Sequence, residues 1–174
     1  QGLQTEADLL SEKFVMEKAP VELYNYLRLG GYKYIFANIC HPAGAFIIQS
    51  LYPNFVQALY QNQCSVYAKV NGASYAEKVS VLEKVDENAY KNNNGYKYFT
   101  LSHHFNFGKD ISYSKGAIEP DPLEFKRTKP TEVIINGNFK DNEWVVFKED
   151  YFGMWKAYMN NKEVPIFATN HNSI

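Results

Sequence analysis

The chain lacks several features that would point directly to a function. It has no hydrophobic run of the roughly 18–20 residues that are needed to cross a bilayer. Its most apolar stretch, residues 43–60, is broken by polar side chains and by Pro53. The formal net charge of -1 argues against general affinity for nucleic acid, because such affinity requires a positive field. We therefore expect neither a membrane span nor a nucleic-acid partner.

Sequence motifs that hold cofactors or metals are also missing. The chain has no Cys-x-x-Cys and no His-x-x-x-His spacing, which are common arrangements of metal ligands. It has neither the glycine pattern of dinucleotide-binding folds nor a phosphate-binding loop. We therefore expect no cofactor and no metal site.

The chain also lacks an initiator methionine and any Asn-x-Ser/Thr sequon. It begins with Gln1, which predicts a processed or trimmed product and is compatible with a secreted or virion protein. Without a sequon it would carry no N-linked sugar, which favours an origin outside the eukaryotic secretory route. The compartment itself stays unknown at this stage.

Cysteine is scarce, and the two cysteines allow three interpretations. Cys40 stands just before a predicted helix start at Pro42, where the helix dipole lowers a thiol pKa. It would then be the nucleophile of a Cys-His hydrolase, with His104 or His103 as base and Asp110 as the orienting carboxylate. A disulfide between Cys40 and Cys64 requires the chain to double back, with Pro53 as the obvious hinge. A buried, inert cysteine is the third interpretation.

Aromatic residues, in contrast, are abundant. They make up 16% of the chain, with 14 Tyr, 12 Phe and 2 Trp among 174 residues. Tyrosine is favoured where one end of a side chain is buried and the other is wet, as at ligand sites and interfaces. The length fits one domain, so we expect a single domain over residues 1–174.

Helical patterns dominate the first third of the chain. A helix is expected to start at Thr5, and a second is expected over residues 21–29 between Pro20 and the pair Gly30-Gly31. Residues 31–40 fit a strand or a helix. Apolar residues at helical spacing predict a third helical region from Pro42 to about Gln61, which Pro53 is expected to kink or split.

Strand patterns follow from Cys64 onward. We expect a hairpin across Asn71-Gly72 between residues 64–70 and 75–85, although the charged residues of 75–85 also allow a helix. One long strand is expected over 95–107. Residues 116–130 are predicted to be a long loop, 131–139 and 144–148 a second hairpin, and 151–160 a short helix. The predicted fold is therefore α+β, with a mainly helical layer at 1–62 on a five-strand antiparallel meander at 63–174, in the form of a cone-shaped cup.

The predicted strand at 95–107 has two unlike faces, because strand side chains alternate. His103 falls on the apolar face, where a histidine is typically a hydrogen-bonded core residue. The opposite face is polar and aromatic, and its candidate binding residues are Tyr98, Thr100, Ser102 and His104. Adjacent strand residues point to opposite faces, so the two histidines do not favour a shared metal.

No complete catalytic constellation occurs, so the leading hypothesis is a noncatalytic binding domain that uses this aromatic-polar sheet face. Its partner would be a protein or a small amphipathic ligand. The two alternatives are the Cys-His hydrolase described above and a structural assembly subunit, such as a capsid or matrix protein, which would oligomerise.

Overall fold

The computed structural model describes residues 19–79, 83–86, 88, 105–106, 121–140, 143–150 and 153–169. The predicted first helix at Thr5 lies outside these residues. The chain divides into two compact units, with residues 1–28 and 32–73 in unit 1 and residues 29–31 and 74–174 in unit 2. The prediction of one domain over the whole chain stays a prediction.

Unit 1 alternates helices and strands. Its elements are helix α1 (Pro20–Leu29, whose last residue belongs to unit 2), strand β1 (Tyr34–Asn38), helix α2 (Pro42–Leu51), strand β2 (Val56–Gln61) and strand β3 (Ser65–Val70). The strands form an antiparallel sheet in the order β1-β3-β2. The expected helix after Pro20 is confirmed, and the ambiguous segment before Cys40 is a strand.

The core of unit 1 lies on one face of this sheet. Val66, Ala68 and Val70 alternate inward along β3 and are at most 2% exposed. Leu51 at the end of α2 and Leu27 on α1 are also buried. Gly44 allows α2 to approach β1, because a Cβ at this position would lie 2.0 Å from the carbonyl oxygen of Asn38.

Two predictions for unit 1 are wrong. The helical region expected to reach Gln61, kinked or split at Pro53, ends at Leu51, and residues 56–61 form the strand β2 instead of helix. The hairpin across Asn71-Gly72 does not form, because β3 already has β1 on one side and β2 on the other. Gly72 does adopt the left-handed conformation expected of such a turn, with φ +67°.

Unit 2 contains short strands in several small sheets. The described strands are β4 (Ala76–Val79), β5 (Glu83–Lys84), β6 (Phe105–Asn106), β7 (Asp121–Pro122), β8 (Glu124–Lys129), β9 (Glu132–Asn136), β10 (Trp144–Phe147), β11 (Ala157–Met159) and β12 (Lys162–Val164). β4 lies between β10 and β7, while β5-β6, β8-β9 and β11-β12 form pairs. Among the described residues, the sheets are therefore separate small pieces and not the expected five-strand meander.

Three further predictions for unit 2 are wrong. The described part of the predicted loop at 116–130 contains β7 and β8. The expected hairpin partners β9 and β10 pair with β8 and β4 instead. The last part of the predicted helix at 151–160 is strand β11, which pairs with β12 across Asn160 and Asn161, both at positive φ.

The coarse assignment to the α+β class holds, since the described chain has two helices and mostly antiparallel strands. The helices are not collected in an N-terminal layer, because β1 lies between them and β2 and β3 follow directly. Within the described ranges, no helix has the length and hydrophobicity to cross a membrane.

Candidate functional site

The binding row predicted from the sequence lies outside the described residues. This applies to Tyr98, Thr100, Ser102 and His104, as well as to His103 and Asp110. Of the predicted strand at 95–107, only Phe105–Asn106 is described, and it pairs in parallel with Glu83–Lys84. The row at 98–104 stays a prediction.

The two cysteines form a disulfide, with their Cα atoms 4.8 Å apart. The chain doubles back because α2 ends at Leu51 and the strands β2 and β3 return toward Cys40. The side-chain oxygen of Asn62 accepts hydrogen bonds from the backbone amides of Cys64 and Ser65, which fixes the turn between β2 and β3. The Cys40 sulfur is therefore not a free thiol here, and the Cys-His hypothesis applies only to a reduced form of the chain.

An exposed aromatic row crosses the unit 1 sheet on the face opposite the core. Phe36 on β1 and Tyr60 on β2 are both the direct partners of Tyr67 on β3. Directly opposed residues of antiparallel strands share a face, so the three rings lie on one side of the sheet. Phe36 is 71% exposed, Tyr60 59% and Tyr67 37%. We call this row, together with Tyr34, the aromatic face.

Tyr34 extends the aromatic face toward its basic end. Its ring stacks on that of Tyr67, with centroids 5.4 Å apart and planes inclined by 20°. The ammonium group of Lys33 lies 5.9 Å from the Tyr34 centroid, at the distance of a cation–π contact. Lys69 is the cross-strand partner of both Tyr34 and Gln57. The aromatic rings are therefore next to cationic and amide groups.

This face arises from simple alternation on a half-buried sheet. On β1, Tyr34 and Phe36 are exposed while Ala37 is buried, and on β3, Tyr67 is exposed between the buried Val66 and Ala68. One face packs under the helices, which leaves the aromatic residues on the other. An exposed apolar patch of this kind is typical of an interaction surface.

The charged residues between Glu22 and Glu77 are all basic. No Asp or Glu occurs between Glu22 and Glu77, whereas Arg28, Lys33 and Lys69 fall in this interval. The whole chain has a net charge of -1, so the average charge conceals an acid-free segment. The aromatic face thus combines rings and positive charge without a carboxylate from that segment.

A shallow cleft of about 380 Å³ lies beside β1. Its apolar walls come from both helices and from the strand: Leu23, Leu27, Ile35, Ile47. The imidazole-bearing His41 also lines it, at the N-cap of α2, and makes no side-chain capping bond there. The cleft therefore offers a mainly apolar surface with polar side chains from Tyr32, Asn38 and His41.

Unit 2 has a polar cluster around Glu149. Its carboxylate accepts the hydroxyl of Tyr75 at 3.1 Å and is paired with the Arg127 guanidinium. Burial, followed by the neighbouring Glu149 charge, raises the pKa of the Tyr75 hydroxyl. The Tyr75 ring packs against Phe125 and Phe147, so the cluster fits a structural role.

A buried ion pair joins β4 to the residue after β10. The ammonium of Lys148 lies 2.6 Å from the carboxylate of Glu77, and both side chains are 1% exposed. Gly31 makes room for the Lys148 stem, because a Cβ there would come within 2.8 Å of its Cδ. The pair is closed off from solvent and therefore fits a structural role.

The aromatic face was only partly visible in the sequence. The alternation of Tyr32, Tyr34 and Phe36 favours a strand, but the spacing of Ile35 and Ile39 in the same segment also fits a helix. Tyr60 was assigned to a helix, and its alignment with Tyr67 depends on a register shift between Ala58 and Tyr60. The useful signal was the unbroken alternation at 34–38.

Comparison with known proteins gave no match to a family model, to a curated protein or to a solved structure. Among the described residues, no group of three or more His, Cys, Asp or Glu is placed to hold a metal ion.

Proposed function

We propose that this chain is a noncatalytic binding domain that engages its partner through an aromatic-polar sheet face. The observation that carries the proposal is the in-register row of Phe36, Tyr67 and Tyr60, exposed on the side of the sheet away from the helices. Rigid aromatic side chains lose little conformational entropy on binding and dominate interface energies. The partner is a protein or a small amphipathic ligand.

The disulfide supports a partner outside the reducing cytosol. Disulfides persist in oxidising compartments and are rare in cytosolic proteins. The Cys40–Cys64 bond lies directly beyond the end of the β1-β3 ladder, where the Ile39 amide donates to the Cys64 carbonyl. It therefore holds the strands that carry Phe36 and Tyr67 in register.

The other predicted surface, the row Tyr98, Thr100, Ser102 and His104, remains a second candidate for the same function. The finer prediction of a cup around that row also remains a proposal. Replacing Tyr98 and His104 by alanine should abolish binding without lowering the melting temperature if that row is the site. The assembly-subunit alternative is checked by sedimentation, where a strict monomer counts against it.

The aromatic face is tested with the amphipathic anion 1-anilinonaphthalene-8-sulfonate as probe. We expect saturable binding to the native protein, and the double variant Phe36→Ser, Tyr60→Ser should bind about tenfold more weakly, as expected for two interface aromatics. The matched control is Tyr158→Ser with Met159→Ser, since these side chains are 61% and 52% exposed in unit 2. Fluorescence titration measures each dissociation constant.

Equal weakening in both double variants would show that the dye senses general surface hydrophobicity, and the proposal would then fail for this face. Circular dichroism on both variants separates loss of binding from loss of the fold.

A further inference from the structure

The outer edge of β1 presents backbone groups that point away from the sheet. β1 is an end strand, with β3 on its inner side. Two bonds flank the ladder, one from the Val70 amide to the Lys33 carbonyl at 2.9 Å and one from the Ile39 amide to the Cys64 carbonyl at 2.8 Å. The register between them is constant. Hydrogen-bonded positions alternate in antiparallel pairs, so the peptide groups of Tyr34 and Phe36 face outward.

Asn38 supports this assignment. It is the next outward-facing position on β1, and its carbonyl accepts the amide of His41 at 3.2 Å. That bond turns the chain into α2 and closes the far end of the edge. Within the part of the chain that the structure describes, the unpaired part of the edge is therefore short, with one N–H and one C=O each from Tyr34 and Phe36.

The apolar cleft lies along this edge, mostly on the helix side, and Phe36 of the aromatic face also lines it. A strand added to β1 would point alternate side chains in the direction of Ile35, which lines the cleft together with Leu23, Leu27 and Ile47. The cleft volume of about 380 Å³ accommodates apolar side chains of an extended peptide. The edge could hydrogen-bond the backbone of an extended peptide, and the adjoining cleft could select its side chains.

Charge determines the chemistry of the occupant. The remaining side chains of the added strand would lie beside Tyr34. The Lys33 ammonium is 5.9 Å from the centroid of the Tyr34 ring, and Lys69 is the cross-strand partner of Tyr34 on β3. No acidic residue occurs between Glu22 and Glu77 to repel a carboxylate. Acidic side chains are thus complementary to this side of the edge.

We propose that β1 is a strand-addition site for an extended peptide that alternates apolar and acidic residues. The peptide backbone pairs with Tyr34 and Phe36, its apolar side chains enter the cleft, and its carboxylates lie beside Lys33, with Lys69 one strand further into the sheet. This mode of recognition takes affinity from main-chain bonds and specificity from alternate side chains. This site is distinct from the aromatic face, because the affinity for the peptide comes from backbone bonds at the edge of the sheet.

The probe for this site is a heptapeptide that alternates glutamate and valine, acetylated and amidated at its ends. With isotope-labelled full-length protein, we expect shifts at the amides of Tyr34 and Phe36 and at the methyl groups of Leu23 and Ile47. Hydrogen exchange at the amides of Tyr34 and Phe36 should slow on binding. The matched control peptide replaces glutamate by lysine and should bind at least tenfold more weakly at low salt.

Two variants separate the backbone from the ring at the same position. Phe36→Pro removes the outward N–H and leaves the bonds to β3 intact, since proline is tolerated on edge strands. Phe36→Ala removes the ring and keeps the N–H. We expect Phe36→Pro to weaken peptide binding about tenfold more than Phe36→Ala, which corresponds to one lost main-chain bond. In contrast, binding of the anionic dye at the aromatic face should fall equally in both variants.

Methylation of the peptide backbone tests the same point in native protein, independently of whether the proline variant folds. One peptide is N-methylated at its odd-numbered residues and the other at its even-numbered residues. Because alternate N–H groups of an added strand face β1, only one of the two peptides presents free N–H groups to it. One peptide should keep its affinity and the other should lose it. Equal affinity of the two peptides, or shifts that map away from β1, overturns the proposal. Protection of the Tyr34 and Phe36 amides before peptide is added would assign the edge to a second copy or to another part of the chain, and overturns it as well.

Discussion

At the scale of single residues, Glu77 and Lys148 form the most deeply buried ion pair among the described residues. Both side chains are 1% exposed. Moving two charges out of water costs several kcal/mol per ion, and their mutual attraction offsets this only when both partners are present. The pair therefore fixes the position of β4 relative to the end of β10 but adds little net free energy of folding.

Removing one partner of this pair should be costly, while replacing both should not. We expect Lys148→Met to lower the free energy of unfolding by about 3 kcal/mol, because the Glu77 carboxylate loses its ammonium partner. The double variant Glu77→Leu, Lys148→Met should recover most of this loss. Urea denaturation of the three proteins measures both effects, and a single-variant cost below about 1 kcal/mol contradicts a buried pair.

Gly44 lies where an added side chain would clash with the backbone, and Gly153 provides a control position with free space around it. Glycine-to-alanine changes inside helices usually stabilise by up to about 1 kcal/mol. Here the added Cβ would lie 2.0 Å from the backbone oxygen of Asn38, so Gly44→Ala should destabilise unit 1 by about 1–3 kcal/mol. At Gly153 a Cβ would meet nothing within 4 Å, and Gly153→Ala should stay within about 0.5 kcal/mol. Thermal unfolding of both variants provides the comparison, and equal stabilities contradict the close contact.

At the scale of elements, the disulfide connects the ends of β1 and β3 across a sequence separation of 24 residues. A closed loop of this size is expected to contribute about 3–4 kcal/mol through the entropy of the unfolded chain. We expect Cys40→Ser with Cys64→Ser to lose that amount in urea denaturation. Reducing the native protein should reproduce the loss, and reductant should leave the double variant unchanged. A reduced protein as stable as the oxidised one contradicts this role.

Local signals at element ends predicted α1 and β3 well. Pro20 is tolerated in the first turn of a helix, and Gly31 takes φ +76° just beyond its end. The alternation at 65–70 matches its burial pattern. These features depend on interactions within a few residues, so the sequence contains them.

β2 shows where local signals fail. Val56 and Leu59 follow the helical spacing of α2, yet Val56 is buried opposite Val70 and the segment pairs with β3. Short segments adopt strand structure when a partner edge is available, because strand preference depends on context. The same reason explains β11, whose partner β12 follows a turn with Asn160 and Asn161 at positive φ.

At the scale of the whole molecule, acidic residues are distributed unevenly along the chain. The segment between Glu22 and Glu77 contains no acidic residue, although the chain has 19 in total. The aromatic face and the β1 edge both lie in this segment. We therefore expect the affinity for acidic partners to fall with increasing salt, as for any exposed charge complementarity.

The sequence by itself determined the α+β class, α1, β3 and the excess of tyrosine, since each follows from composition, from the order of local patterns or from contacts within one element. Only the tertiary structure decided which aromatics share a face. Phe36, Tyr60 and Tyr67 are 24 and 7 residues apart along the chain, and strand order and register bring them together. The structure likewise closed the disulfide and, among the described strands, left the outer edge of β1 without a paired strand, because pairing between distant segments depends on the whole fold.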